Sequence, residues 1–296
     1  MSTPHSRWPG FNTLAVVGVG LIGGSFAAAL RKQGRVGQVW GVGRRPEALE
    51  AARRLGLIDR GVSLEEAAKA DLIFLAVPVG AMAEVFQRLR PHLGPHTLLT
   101  DGGSTKQDVV AAARAALGEE LWRFVPGHPV AGSDQSGPEA ASAALYEGKQ
   151  VVLTPLPENA EAAVETIRRG WETAGARVCS MSPAEHDEVL ASISHVPHLL
   201  AYAYLKQVAA SQSAQRRLAI AGSGFRDFTR IAGSSPEMWR DILIANRTAI
   251  LQETREIRQA LDEIEGLMQP ERAERLLEEL RTIAEVRQSW SDHFSD

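Results

Sequence analysis

The sequence has little of what stabilises secreted proteins or anchors proteins in membranes. It contains a single cysteine, Cys179, which excludes an intrachain disulfide and indicates a reducing cytoplasm. No apolar run reaches the roughly 18 residues that a membrane-spanning helix needs, and the first residues lack the apolar region of a signal peptide. The net charge of −4 gives no sign of a basic surface for nucleic acid. We therefore expect a cytoplasmic protein whose partners include neither a membrane nor a nucleic acid.

A glycine-rich turn near the start of the chain indicates a dinucleotide site. An apolar run at 14–17, predicted to be a buried strand, leads into a G-x-G-x-x-G pattern and then into an alanine-rich helix. The first glycine permits the tight turn, the second lets backbone approach a pyrophosphate, and the third lets helix and strand pack closely. The helix N-terminus then offers N–H groups to the phosphates. An ordinary glycine-rich turn is the alternative. The predicted cofactor-binding residues here are Gly18, Gly20, Leu21, Ile22 and Gly23.

Strand and helix patterns alternate over the first 181 residues, which predicts an α/β Rossmann-type domain with a parallel sheet. Predicted strands cover residues 14–17, 38–42, 71–77, 97–101, 123–126, 150–154 and 177–181, with helices at 21–33, 79–93, 106–117 and 158–174. From Ser182 onward strand patterns disappear and helical spacing dominates. We predict a dinucleotide-binding domain over 1–181 and an all-helical substrate and dimerisation domain over 182–296. The homodimer rests on analogy with similar folds.

The residues after the second predicted strand favour NADP over NAD. An NAD enzyme usually has an acidic residue there for the ribose hydroxyls, but this chain has Gly43 followed by Arg44 and Arg45. Two guanidiniums without a neighbouring carboxylate suit a 2′-phosphate. The alternative is a solvated charge pair that starts the next helix. Val77 and Pro78, at the end of another strand, are predicted to line the same crevice.

Candidate catalytic residues follow two further strand ends. His128 lies in a Gly-His-Pro segment that faces the predicted crevice, where an imidazole can accept a proton near neutral pH. Ser104 follows the neighbouring strand, and its hydroxyl could orient the imidazole or the substrate. A structural histidine and a helix-capping serine are the respective alternatives.

The helical part adds a second set of polar residues. His195 and His198 lie in a predicted helix, and Arg230 lies in a predicted Gly-rich loop that suits an anionic substrate. A salt bridge from Arg230 to Asp227 is the alternative. His186 completes a possible metal set with the other two histidines, but no cysteine or carboxylate cluster accompanies them, so we predict no metal.

Several motifs together resemble the prephenate/arogenate dehydrogenase family of tyrosine biosynthesis. They are GVGLIGGS (18–25), DGGSTK (101–106), GHPVAGSDQSG (127–137), LYEGKQVVLTP (145–155), HDEVLASISHVPH (186–198), GFRDFTRIAGSSPEMWRDI (224–242) and Asn246. The resemblance implies oxidative decarboxylation of a cyclohexadienol: a hydride leaves C4 for the nicotinamide, CO2 leaves C1, and the ring becomes a phenol.

The resemblance also implies residue roles. His128 takes the proton of the 4-hydroxyl, and Ser104 bonds that histidine and bridges to the nicotinamide. Ser133 assists them, and Asp134, where some members have Glu, is a shorter candidate for a gating carboxylate. The residues implied in substrate binding are His195, which positions the substrate, Arg230, which binds a carboxylate, and Trp239, which approaches the pocket from its own or the partner subunit.

Two other functions share parts of this pattern. Another NADP-dependent β-hydroxyacid or imine dehydrogenase would have the same two-domain architecture, but would typically carry a lysine where this chain has His195 and His198. A non-catalytic NADP-sensing protein would need neither His128 nor Arg230. Prephenate and arogenate differ only in a side-chain keto or amino group, and the sequence favours neither.

Overall fold

The computed structural model describes residues 8–132 and 135–293, and the chain divides into two compact units. The first unit ends at Arg247 and the second begins at Thr248. The helices between residues 182 and 245 therefore belong to the first unit together with the sheet. The domain boundary near residue 181 stays a prediction.

A six-stranded parallel sheet forms the centre of the first unit, with strand order β3-β2-β1-β4-β5-β6. Its strands are β1 (Phe11–Val17), β2 (Val36–Val42), β3 (Arg60–Gly61), β4 (Leu72–Leu75), β5 (Leu98–Asp101) and β6 (Phe124–Val125). The helices between them are α1 (Leu21–Lys32), α2 (Pro46–Arg54), α3 (Leu64–Ala67), α4 (Met82–Leu89) and α5 (Gln107–Leu117). The predicted Rossmann-type sheet is confirmed.

Residues 14–17 of β1 are all apolar because helices cover both faces of the sheet. Leu14 and Val16 belong to one core, which also holds Phe74 and Trp171. The alternate residues Ala15 and Val17 belong to a second core on the opposite face. Strand β1 also starts at Phe11, three residues earlier than predicted. Residues 1–7 lie outside the described residues.

The later strands form a separate sheet, which the sequence analysis did not predict. Strand β7 (Gly127–Pro129) pairs antiparallel with β8 (Gln150–Leu153), which pairs parallel with β9 (Arg177–Ser180). Helix α6 (Glu161–Thr173) connects β8 to β9. The prediction that all strands join one parallel sheet was therefore wrong for these segments. Since His128 pairs with Val152 across the β7–β8 register, this small sheet carries the predicted catalytic base.

Helices make up the rest of the first unit. They are α7 (Pro183–Leu190), α8 (Val196–Ala209), α9 (Ala214–Ala219), α10 (Ser223–Thr229) and α11 (Pro236–Ala245). Ser182 and Glu185 form a capping box at the start of α7, as the predicted helix start requires. A π-helical turn, Ala191–His195, joins α7 to α8. The predicted Gly-rich loop around Arg230 is helical instead, because α10 extends to Thr229.

The second unit contains two long helices, α12 (Arg247–Leu267), whose first residue still belongs to the first unit, and α13 (Ala273–His293). Apolar side chains of this unit are exposed, among them Leu280, Ile283 and Val286. Over the described part of the chain, no helix combines the length and apolar character needed to cross a membrane.

Candidate active site

The turn between β1 and α1 has room for a phosphate group. Gly18 has a φ of 95°, and a Cβ on it would lie 2.4 Å from the carbonyl oxygen of Ala76, so the position requires glycine. A Cβ on Gly23 would also lie 2.4 Å from a backbone oxygen, whereas one on Gly20 would meet no atom within 4 Å. Gly20 caps α1 without a side-chain hydrogen bond. Open space therefore lies beside free N–H groups of a helix N-terminus, which fits a dinucleotide.

Apolar residues border this turn. The Val77 Cγ1 atom lies 3.2 Å from the position that a Cβ on Gly18 would take. The Ile22 Cγ2 atom lies 3.2 Å from the corresponding position on Gly102, which follows β5. The remaining predicted residues, Leu21 and Pro78, begin α1 and follow β4. The glycine turn and the end of β5 are thus in contact.

The end of β2 carries three exposed residues in a row, Gly43, Arg44 and Arg45. Among the described residues, no ion pair involves either arginine. A Cβ on Gly43 would contact only the flexible side chain of Leu49, at 3.3 Å. The two guanidiniums are therefore available for an external anion, and the glycine position tolerates a larger residue.

A buried ion pair connects the end of β5 to the strand that carries His128. Lys106 and Asp101 are both fully buried and paired. Lys106 Nζ also donates to the carbonyl oxygen of Gly127 at 2.7 Å, and the Gly127 N–H donates to Asp101 Oδ1 at 2.9 Å. These bonds fix the backbone next to His128 relative to the large sheet.

Three side chains form a hydrogen-bonded row that ends at the predicted base. His128 Nδ1 lies 2.8 Å from Nε2 of His186, and His186 Nδ1 lies 2.8 Å from Oδ1 of Asp187. The Asp187 carboxylate also accepts the backbone N–H groups of Lys106 and Gln107, at 2.8 and 2.9 Å. Asp187 therefore caps the start of α5 from a distant helix and holds His186 against His128.

Burial keeps these imidazoles neutral. His128 is 8% exposed, and this burial is the main reason that its pKa lies well below the usual 6.5. The nearby His186, Lys106 and His195 lower the pKa further. Burial also lowers the pKa of His186, although Asp187 opposes this effect. For Asp187 itself, burial opposes ionisation, but the hydrogen bonds from His186 and the α5 backbone lower the pKa overall. The row consists of two neutral rings and one carboxylate at neutral pH.

His195 approaches the same residues from the π-helical turn. It is 1% exposed, and its Nδ1 lies 3.0 Å from Nδ2 of Asn246, which also donates to the Asp187 carbonyl oxygen at 2.6 Å. Burial lowers the pKa of His195 to about 4, although the nearby Ser104 backbone raises this pKa. Its Nε2 has no partner with hydrogen-bond geometry among the described residues, which leaves a buried polar atom for a ligand.

Trp239 and Arg230 lie around His198. The Trp239 indole stacks on the His198 ring with centroids 3.6 Å apart, and its Nε1 lacks a partner among the described residues. Burial lowers the pKa of His198, and the nearby guanidinium of Arg230 lowers it further. Arg230 is exposed and forms no ion pair with Asp227 over the part of the chain described. The alternative salt bridge is therefore not formed, and the guanidinium is available to an anion.

Ser104 does not cap the helix that follows it. Helix α5 has Lys106 at its N-cap and no side-chain cap from within its own segment. Among the described residues, Ser104 makes no hydrogen bond to His128, whose Nδ1 is bonded to His186 instead, so the bond implied by the resemblance stays a prediction. Ser133 and Asp134, the other two predicted residues of this group, lie outside the described residues.

The three histidines considered for a metal are engaged otherwise. His186 bonds His128 and Asp187, His195 bonds Asn246, and His198 Nδ1 lies 2.8 Å from the Ser194 carbonyl oxygen. Within residues 8–132 and 135–293, no group of three or more His, Cys, Asp or Glu side chains is placed to hold a metal ion.

Two family models match most of the chain. One, for the prephenate dehydrogenase nucleotide-binding domain, matches residues 26–180, and the other, for the prephenate dehydrogenase dimerization domain, matches residues 182–282. The chain belongs to the prephenate dehydrogenase family. It therefore has the activity of this family, an oxidative decarboxylation in tyrosine biosynthesis that depends on a nicotinamide cofactor.

Individual members show how close the similarity is. The chain is 38% identical to a prephenate dehydrogenase of Bacillus subtilis over 280 residues, which are 93% of this chain and 75% of that protein. It is 35% identical to a cyclohexadienyl dehydrogenase of Zymomonas mobilis over 81% of this chain and 83% of that protein. The crystal structure of Aquifex aeolicus prephenate dehydrogenase with hydroxyphenyl propionate and NAD+ superimposes with a TM-score of 0.88 at 36% identity, covering 94% of this chain and 98% of that one.

Sequence reasoning about this prephenate dehydrogenase family member missed four residues around the predicted base. His186, Asp187 and Asn246 occur in the matching motifs, and Lys106 ends the DGGSTK motif (101–106), but none was predicted to position the base. The adjacent His-Asp pair at the start of a motif was the available signal. Its partner, His128, is 58 residues away in sequence, so only the packed structure pairs them.

Proposed function

We propose that this chain oxidises prephenate or arogenate, with His128 as the general base and NADP as the preferred cofactor. The observation that carries the proposal is the buried, neutral His128 held through Nδ1 by His186. A neutral imidazole at this place is able to accept a proton, and its other nitrogen, Nε2, is the one that faces a substrate hydroxyl.

The glycine turn and its neighbours hold the cofactor. Gly18, Gly20 and Gly23 receive the pyrophosphate at the N-terminus of α1, and Leu21, Ile22, Val77 and Pro78 border it. When bound, the cofactor accepts a hydride from C4 of the substrate.

His128 accepts the proton of the 4-hydroxyl as the hydride leaves, and loss of CO2 from C1 completes the aromatic ring. Aromatisation supplies the driving force, so the protein contributes mainly alignment and one proton acceptor. Lys106 and Asp101 support this role, since they fix the backbone of Gly127 next to the base.

Further residues bind the anionic substrate. The buried, unpartnered Nε2 of His195 supports a hydrogen bond to it, and the unpaired guanidinium of Arg230 supports an ion pair with a carboxylate. Trp239, which stacks on His198, borders the proposed substrate site with its apolar ring. The proposal retains Ser104 as a partner of base and nicotinamide, Ser133 as its helper and Asp134 as a gating carboxylate.

The NADP preference rests on the end of β2. No acidic residue follows the strand there, and Arg44 and Arg45 are exposed and unpaired among the described residues. The A. aeolicus relative was crystallised with NAD+, so NAD is the competing cofactor.

Steady-state kinetics with both substrates and both cofactors test the proposed function. We expect kcat/KM to be higher with NADP, and the Gly43→Asp variant, which its surroundings accommodate, to reverse the order. Loss of one charge-assisted contact weakens NADP use about 10- to 100-fold. A tenfold preference of the unaltered enzyme for NAD would overturn the cofactor assignment. Absence of turnover with either substrate would overturn the proposed reaction.

A homodimer and a cytoplasmic location complete the proposal. The dimerization-domain match over 182–282 and the exposed apolar side chains of α12 and α13 support self-association. The functional division into a dinucleotide-binding part, residues 1–181, and a substrate and dimerisation part, residues 182–296, belongs to the same proposal. Light scattering coupled to size-exclusion chromatography measures the oligomeric state.

A further inference from the structure

The Asp187 carboxylate determines where the proton lies on His186. Both of its oxygens accept backbone N–H groups, from Lys106 and from Gln107. A backbone N–H is only a donor, so both oxygens of Asp187 act as acceptors. His186 Nδ1, 2.8 Å from Oδ1, must therefore carry a proton and donate it.

The proton position on His186 determines that on His128. In a neutral imidazole with a proton on Nδ1, Nε2 has a lone pair and accepts. The 2.8 Å contact from His186 Nε2 to His128 Nδ1 is then a hydrogen bond only when His128 Nδ1 is the donor. Nε2 of His128 consequently keeps its lone pair. The lowered pKa values of His128 and His186 agree with two neutral rings.

Asn246 imposes the opposite arrangement on His195. Its amide orientation is fixed, because the Asp187 carbonyl oxygen, 2.6 Å from Nδ2, only accepts. The same amide nitrogen lies 3.0 Å from His195 Nδ1, which must therefore accept. The proton of the neutral ring then lies on Nε2, the buried nitrogen without a partner among the described residues.

We infer that Asp187 and Asn246 give two imidazoles of the site opposite tautomers, so that His128 presents a lone pair and His195 presents an N–H. Asp187 acts on both rings, through its carboxylate on His186 and through its carbonyl oxygen on Asn246. His186, Asp187 and Asn246 are positioning residues in this arrangement.

The chemical consequence rests on the proposed function. His128 Nε2 is ready to accept the hydroxyl proton without a preceding proton shift. His195 Nε2–H donates to a substrate oxygen and is unable to compete as a base. The wrong tautomer at either ring would lower kcat even with every side chain in place, as is known for histidines of other catalytic sites.

The tautomers are measurable without substrate or cofactor. We would label the full-length protein with 15N-histidine and record imidazole spectra at pH 7.5, assigning rings by the His128→Asn, His186→Gln and His195→Gln variants. We expect protonated Nδ1 on His128 and His186, and protonated Nε2 on His195. A proton on Nε2 of His128 or on Nδ1 of His195 would overturn the inference. An inactive protein with the expected spectra would instead contradict only the proposed function.

A matched pair of variants tests the positioning role. His186→Gln keeps an acceptor for His128 Nδ1, whereas His186→Leu removes it. We expect His186→Leu to lower kcat at least about tenfold with unchanged cofactor affinity, and His186→Gln to retain most of kcat. Equal losses in both variants would show that His186 has a merely structural role.

Asn246→Asp tests the second ring. The new carboxyl accepts from His195 whether it is ionised or donates its own proton to the Asp187 carbonyl, so the proton of His195 should move to Nδ1. We expect the 15N spectrum to show this change and the substrate KM to rise while the His128 signals stay. An unchanged His195 tautomer in a folded variant would overturn the role of Asn246.

Discussion

His128 works in surroundings that disfavour its protonated form, and this has a measurable effect on catalysis. Burial, His186, Lys106 and His195 all lower its pKa below 6.5. Because the base must be neutral to act, kcat/KM should stay high as the pH falls through 6.5 and decline only at lower pH.

Initial rates measured across pH 5–8 give the pH at which kcat/KM declines. In the His128→Asn variant kcat should fall about 10²- to 10⁴-fold, while cofactor affinity persists. If kcat/KM of the unaltered enzyme fell to half of its maximum at or above pH 6.5, the assignment of His128 as the base would be contradicted.

Arg230 differs from a structural arginine in having no ion pair with Asp227. Its planar guanidinium suits a carboxylate, so Arg230→Ala should raise the substrate KM about 10- to 100-fold, which corresponds to the usual 1.5–3 kcal/mol of a charged hydrogen bond. The melting temperature should not change. Arg226→Ala, which removes an exposed arginine of helix α10 one turn earlier in the chain, is the matched control. A lower melting temperature with unchanged KM would assign Arg230 to stability.

At the scale of single elements, two glycines in and after the turn before α1 are required for different reasons, Gly20 for cofactor binding and Gly23 for packing. Gly20→Ala places a Cβ in open space, so the fold should persist while the Kd for the cofactor rises. Gly23→Ala places a Cβ 2.5 Å from the Val16 Cγ1 atom and 2.4 Å from backbone, so this variant should unfold at a lower temperature. Calorimetry and cofactor titration on both variants check the pair. Equal cofactor affinity in Gly20→Ala and the unaltered protein would contradict the phosphate site.

At the scale of the whole molecule, three buried histidines make stability depend on pH. The pKa values of His128, His186 and His195 are lowered in the folded state, that of His195 to about 4. Below pH 6.5 the unfolded chain takes up protons that the folded chain does not. The free energy of unfolding should therefore fall with decreasing pH, by up to about 1.4 kcal/mol per pH unit for each histidine.

Urea unfolding between pH 7.5 and 5.5 measures that slope. His195→Gln removes one of the three groups and should make the dependence shallower. A slope unchanged by this substitution would mean that His195 titrates normally in the folded protein.

Much of the fold was predictable from the sequence because its patterns are local. The run through β1, the glycine turn and α1 lies within a few consecutive residues, and the start of α7 is marked by its own cap, Ser182. Strand β7 is only three residues long, so neither its antiparallel partner nor the separate sheet had a local signal. Helix α10 forms in a Gly-containing segment against its composition, since packing outweighs propensity.

In the candidate site, too, features with a local sequence pattern were predictable and long-range contacts were not. His128, His195 and Arg230 were recognisable from their motifs, whereas the row from His128 to Asp187 depends on contacts between distant segments. Hydrogen-bond partners determine the proton positions, and partners separated by tens of residues leave no spacing pattern in a sequence.

The π-helical turn between α7 and α8 makes the geometry of the site depend on how tightly this turn winds. A turn of this kind accommodates one residue more than regular α-helical winding requires. If the same residues wound as a regular α-helix, α8 would be rotated by about 100° relative to α7. Since His186 lies before the turn and His195 at its end, the two imidazoles would lose their common phase. The wider turn thus cancels the rotation that one extra residue would cause, and a regular helix of the same length would be a poorer enzyme.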